Sequence, residues 1–111
     1  MPRLTEFHQV AKVGDLEDGT MKSVSVDRHM YLLARIGEEY FCLDDWCSHA
    51  DAQLDQGFVH TDTYEVECPL HEGHFDLRTG NPTVPPPEDP VDSYAVKIEG
   101  DDILIGPKDD A

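Results

Sequence analysis

The chain alternates short apolar runs with clusters of turn residues, which is the pattern of an all-β protein. Phe7 to Val13 alternates weakly, and Met21 to Val26 is a second candidate strand. Met30 to Ile36 and Glu39 to Leu43 follow, with Gly37-Glu38 between them as a tight hairpin turn. Tyr64 to Glu67 resumes the alternation after a Thr61-Asp62-Thr63 turn. Tyr94 to Ile98 and Ile103 to Ile105 flank Gly100-Asp101-Asp102, a further hairpin. Helical signals are thin: Asp15 to Asp18 makes one turn at most.

Two stretches depart from this rhythm. Asp44 to Glu67 carries seven acidic residues and no Lys or Arg, and strand-like runs are sparse in it. Asn81 to Pro90 carries five prolines. Proline fixes φ and removes a backbone donor, so Pro85-Pro86-Pro87 is expected to be extended, stiff and exposed. That segment reads either as a rigid connection between strands or as a brace over a site.

Composition narrows the function classes. The 111 residues are the size of one small domain. A chain this short buries only about 60–65% of its unfolded surface. With 39% hydrophobic residues the core is thin, so a bound metal would help as a staple. A large cofactor-binding fold does not fit. Eight Lys+Arg against 24 Asp+Glu give a formal charge of −16, which argues against nucleic acid and for a basic partner surface. No stretch approaches the roughly 20 apolar residues of a membrane span, and MPRLTEFHQVAKVGDLEDG lacks the apolar run of a secretory signal. The expectation is a soluble, cytoplasmic protein. Three cysteines argue against a disulfide framework and for metal or catalytic use.

The cysteines point to a site. Cys47-Ser48-His49 and Cys68-Pro69-Leu70-His71 each offer one thiolate and one imidazole, with eighteen residues between His49 and Cys68. Zinc accepts a Cys₂His₂ set, although finger spacing pairs like with like, whereas each loop here mixes the two types. A blue-copper site wants one thiolate, two imidazoles and a weak axial ligand. A Rieske 2Fe–2S centre has two His in place of two Cys on one iron, and a CxH loop plus a CxxH loop supply that set.

Residues 42–80 (CLDDWCSHADAQLDQGFVHTDTYEVECPLHEGHFDLRTG) resemble the cluster-binding region of Rieske-type 2Fe–2S ferredoxins. Within that family they look most like the ferredoxin components of bacterial aromatic-ring-hydroxylating dioxygenases. Leu54, Gly57, Pro69, Phe75-Asp76 and Thr79-Gly80 continue the match, and Val84 to Pro90 falls where the family has a proline loop beside the cluster. The resemblance implies one Rieske 2Fe–2S cluster, with Cys47 and Cys68 on one iron and His49 and His71 on the other. It implies a Rieske (ISP-like) fold: an antiparallel β-sandwich base of residues 1–43 and 80–111, carrying an inserted cluster-binding subdomain of residues 44–79. In the family the two imidazole edges sit at the protein tip. Two ferric ions and two sulfides leave two positive charges, which two thiolates cancel. Four thiolates would make the centre negative and harder to reduce.

The chain departs from the family at Glu72, where glycine is usual. It also departs from the respiratory Rieske proteins, which have a second Cys in each loop and a Ser hydroxyl on a bridging sulfide; Leu70, Ala52 and Gly73 stand near those places. Fewer hydrogen bonds to sulfur predict a potential at the low end of the Rieske range, near about −150 mV.

The function this implies is soluble one-electron transfer. The carrier takes electrons from a flavin-dependent NAD(P)H ferredoxin reductase and passes them to a terminal Rieske oxygenase. It is not an enzyme by itself: it has no GxGxxG fingerprint, and its four other histidines show no ligand spacing. The alternatives are a Rieske-like small subunit of nitrite reductase or another oxidoreductase, and a zinc-stapled interaction module. Cys42 reads as a buried small hydrophobe, and Trp46 as packing under the cluster. His74 reads as an exposed polar residue, and His8, His29 and His60 as surface residues.

Overall fold

The structure, a computed structural model, describes residues 4–47, 52–70, 72–85 and 87–108. As expected it is nearly all β. Its strands are β1 (His8–Lys12), β2 (Thr20–Val26), β3 (His29–Ile36), β4 (Glu39–Asp44), β5 (Phe58–His60), β6 (Glu65–Glu67), β7 (His74–Asp76), β8 (Pro82–Val84), β9 (Ser93–Glu99) and β10 (Asp102–Gly106). One helical turn falls at Val13–Asp15, slightly before the expected Asp15–Asp18, and a second lies at Leu54–Gln56.

Six strands form one antiparallel sheet in the order β1-β10-β9-β4-β3-β2. Its two halves pair side by side through Cys42↔Tyr94 and Leu43↔Ser93. The outermost strands β1 and β2 contact each other, so the sheet folds over on itself as a sandwich. Its tight turns follow local chemistry. Gly37 and Gly100 take positive φ (63° and 62°) between β3 and β4 and between β9 and β10. Asp27 and Arg28 do the same between β2 and β3 without glycine, at φ 49° and 71°.

β3 explains the apolar run Met30 to Ala34 (MYLLA), because Tyr31 to Ala34 are buried on both faces of the strand. Tyr31 and Leu33 face the sandwich interior with Cys42, Tyr94, Ile103 and Ile105. Leu32, Ala34 and Ile36 face the other way and join Leu43, Leu54, Val66, Phe75, Leu77 and Val91. This second core holds a small antiparallel sheet, β5-β6-β7-β8, against the base. The stretch Asp44 to Glu67, expected to be poor in strands, therefore contributes β5 and β6. β8 lies in the proline-rich stretch and begins on Pro82, an edge position where a missing N–H costs little.

Candidate metal centre

Cys47 and Cys68 come from separate loops yet are buried in the same core, at 7% and 1% exposure, and both are thiols. Each stands at the mouth of a loop closed by the same backbone bond. The Cys47 N–H donates to the Ala52 carbonyl at 3.0 Å, and the Cys68 N–H donates to the Gly73 carbonyl at 2.8 Å. Both closures span five residues, and the sequence puts His49 inside the first loop and His71 inside the second. Those two histidines, expected as ligands, lie outside the described residues.

Glycine keeps the loops close to their neighbours. A Cβ on Gly57 would lie 1.8 Å from the Glu67 carbonyl oxygen, on the strand that leads into Cys68. A Cβ on Gly73 would lie 2.3 Å from Pro87 Cδ. The Pro87 ring thus rests on the residue that closes the second loop, and Pro87 is buried. This corrects the expectation that the proline segment is exposed throughout: Pro85 is exposed, but Pro87 packs as a brace. Further along, the Val91 N–H donates to the Gly80 carbonyl at 2.9 Å and the Asp44 N–H to the Asp92 carbonyl at 2.9 Å, tying the brace to the base.

Glu72 is exposed and has φ 59°. Its backbone occupies the left-handed region that favours glycine, which is the physical reason glycine suits this position.

The first loop hangs from Asp45, a fully buried polar residue that sequence reasoning missed. Its carboxylate accepts from Ser23 Oγ at 3.0 Å, Gln53 Nε2 at 3.1 Å and the Asp55 N–H at 2.9 Å, and its carbonyl accepts the Leu54 N–H at 2.6 Å. Burial pushes the Asp45 carboxyl well above the usual carboxylate range, and the neighbouring Asp55 carboxyl raises it further. One Asp55 oxygen, Oδ1, is buried with no hydrogen-bond partner. Nothing in the spacing announces this network, because its partners come from β2 and from the segment beyond the first loop.

Much of the acidic run is occupied internally. Asp44 accepts from His29 Nε2 at 2.6 Å and from the Tyr94 hydroxyl at 3.1 Å. Glu65 and Glu67 pair with His60 and His74. His60 and His74 are therefore not isolated surface residues. Their rings stack with centroids 4.6 Å apart and both are partly buried. EVE and HFD each alternate polar–apolar–polar, so Glu65, Glu67, His74 and Asp76 share the face opposite Val66 and Phe75. Cys42 is 1% exposed, as expected, and burial pushes its thiol far up. Trp46 is 45% exposed, which overturns its expected packing under the site.

The donor chemistry fits a two-iron cluster. Two buried thiols converge in one core from loops of equal closure, and each loop carries one imidazole two or three residues on.

Comparison with known proteins agrees. The family model "Rieske [2Fe-2S] domain" matches residues 6–95. The ferredoxin component of biphenyl 2,3-dioxygenase from Rhodococcus jostii (strain RHA1) is 37% identical over 97 residues, covering 87% of this chain and 89% of that protein. The solved ferredoxin of carbazole 1,9a-dioxygenase from Nocardioides aromaticivorans IC177 superposes with a TM-score of 0.89 at 39% identity, covering 94% of this chain and 100% of that one. A chain in a complex of reduced oxygenase and oxidised ferredoxin of carbazole 1,9a-dioxygenase superposes at 0.84 with 25% identity, covering 95% and 96%. On the match over most of its length and on the paired thiol loops, this chain belongs to the Rieske [2Fe–2S] domain family.

Proposed function

We propose that this chain is the ferredoxin of an aromatic-ring dioxygenase system. It carries single electrons from a flavin-dependent NAD(P)H reductase to a terminal Rieske oxygenase, in the cytoplasm, and is not catalytic alone. The observation that carries the reading is the pair of buried thiols, Cys47 and Cys68, on two loops of matched closure. In this reading Cys47 and Cys68 hold one iron, and His49 and His71 hold the other. The 2Fe–2S cluster, when bound, supplies reversible one-electron chemistry.

The chain's own residues set the conditions. Leu54, Val66 and Phe75, all fully buried, exclude water from the core that holds the two thiols. Pro87 and Gly73 fix the second loop. Trp46 (45% exposed) and Leu70 (57% exposed) directly precede Cys47 and His71, and present apolar surface to a partner beside the ligands. The segment 44–79 works as a cluster-binding subdomain carried by the rest of the chain, and the electron leaves through the imidazoles of His49 and His71. A net charge of −16 favours encounter with basic partner faces.

Reconstitution tests this. The iron-loaded protein should be reduced by NADH only with a ferredoxin reductase present, and should reoxidise on mixing with an oxidised terminal oxygenase. Trp46→Ala should slow the second transfer and leave the cluster spectrum unchanged. Iron-loaded protein that exchanges electrons with no such reductase or oxygenase would overturn the assignment.

A further inference from the structure

On the outward face of the small sheet, three side chains from three adjacent strands converge. They are His60 on β5, Glu67 on β6 and His74 on β7, and their ligand atoms all lie within 4.8 Å of one another. The register produces this. His74 sits directly opposite Glu67, and His60 sits opposite Glu65, one residue pair along the same face. Val59, Val66 and Phe75 point to the other face and pack in the core.

We propose that His60, Glu67 and His74 form a second metal site, separate from the cluster, that takes one divalent first-row transition ion of the zinc type. Both histidines direct Nε2 at the same oxygen, Glu67 Oε1, at 2.7 Å from His60 and 3.3 Å from His74. His74 turns its other nitrogen, Nδ1, to Glu65 Oε1 at 2.9 Å. Glu65 is held in turn by the Thr63 hydroxyl at 3.1 Å. A carboxylate behind a ligand imidazole is the usual support of a metal-bound histidine, because it fixes the tautomer and makes the ligand nitrogen more basic. With Nδ1–H donating to Glu65, the Nε2 of His74 is left facing a carboxylate oxygen of Glu67. Only a cation or a proton between them relieves that contact.

The donor set selects the ion. Two imidazoles disfavour Ca²⁺ and Mg²⁺, which take oxygen ligands. Two nitrogens and one carboxylate suit Zn²⁺, and three protein ligands leave a fourth position for solvent. Two carboxylates at the site, within a chain of formal charge −16, favour a dication.

The test is a calorimetric titration of the cluster-loaded protein, freed of metal outside the cluster, with Zn²⁺, the visible spectrum being followed to show an intact cluster. One equivalent is expected to bind saturably. His60→Ala and His74→Ala should each weaken binding by about 100-fold or more, and Glu65→Gln, which keeps all three donor atoms, by about 10-fold. His8→Ala, on β1, should bind as the parent does. Zn²⁺ should also raise the thermal midpoint of the parent and not of His60→Ala. Heats that fail to saturate near one equivalent, or a binding curve unchanged in both His60→Ala and His74→Ala, would overturn the proposal.

Discussion

The two faces of β3 and β4 do different work. On one face Tyr31, Leu33 and Cys42 meet Tyr94, Ile103 and Ile105, all from strands of five to eight residues in continuous ladders. On the other, Leu32, Ala34 and Leu43 meet residues from three-residue strands and from loops, the two cysteines among them. The first core is held by regular pairing around it. The second is closed by a few single backbone bonds, such as Cys47 to Ala52 and Cys68 to Gly73, and by the Pro87 brace. A sandwich of long strands can persist by burial alone, whereas a small sheet on loops gains from a staple at its centre. A cluster held by one residue pair from each loop would act as that staple.

Removing the staple gives the largest contrast. Cys47→Ser or Cys68→Ser should abolish bound iron and acid-labile sulfide. Amide exchange should then speed up throughout β5 to β8 while β2 to β4, β9 and β10 stay protected. If β5 to β8 remain as protected as in the loaded protein, the loops close without the cluster and the contrast fails. His49→Cys or His71→Cys should keep iron and lower the potential from its expected value near about −150 mV, because an added thiolate makes the centre more negative. An unaltered potential and EPR spectrum would remove that residue from the ligand set.

Next come the two cores themselves. Phe75→Ala should cost about 3–5 kcal/mol and also speed loss of the cluster, because Phe75 is fully buried in the core that contains both thiols. Leu33→Ala, equally buried on the opposite side, should cost about 2–5 kcal/mol and leave cluster retention at a matched fraction folded unchanged. Denaturant melts paired with absorbance decay separate the two. Equal rates of cluster loss would mean that the cores are not independent. A smaller effect of opposite sign is expected at Glu72, whose backbone is left-handed at φ 59°. Glu72→Gly should stabilise by about 1 kcal/mol, since a side chain there is strained and glycine is not.

The long strands were legible because alternation and turn chemistry agree along them. Gly37-Glu38 and the Gly100 turn fall where the pattern breaks, and the strand bounds follow within a residue or two. β5, β7 and β8 were not legible, since a three-residue strand has one central position and too little period to read. The proposed ligand pairs stand out in the sequence because each lies within one short stretch, and of their members the structure places Cys47 and Cys68 in one core. The Asp45 network and the His60–His74 stack were not, because their members lie 8 to 22 residues and 14 residues apart and meet only through strand register and loop packing. Pro87 shows a further limit. Three consecutive prolines establish an extended path, and only the neighbour at Gly73 decides which one is buried.

The finest contrast between the two regions is in their response to acid, and it runs through Glu65. The His74 hydrogen bond holds the Glu65 carboxyl below its ordinary value of 4.5, against a smaller opposing effect of burial. Its folded form therefore binds a proton less readily than its unfolded form. The resulting stabilisation is fully present above the unfolded value and is lost as pH falls through the folded one. In Glu65→Gln that contribution is absent at every pH. The stability difference between parent and variant should accordingly shrink as pH is lowered from 6 through about 4 and below. The change should be read as faster exchange in β5 to β8, with β2 and β3 unaffected. A parent–variant difference that stays constant over this range would mean that the bond to His74 contributes nothing to holding the small sheet.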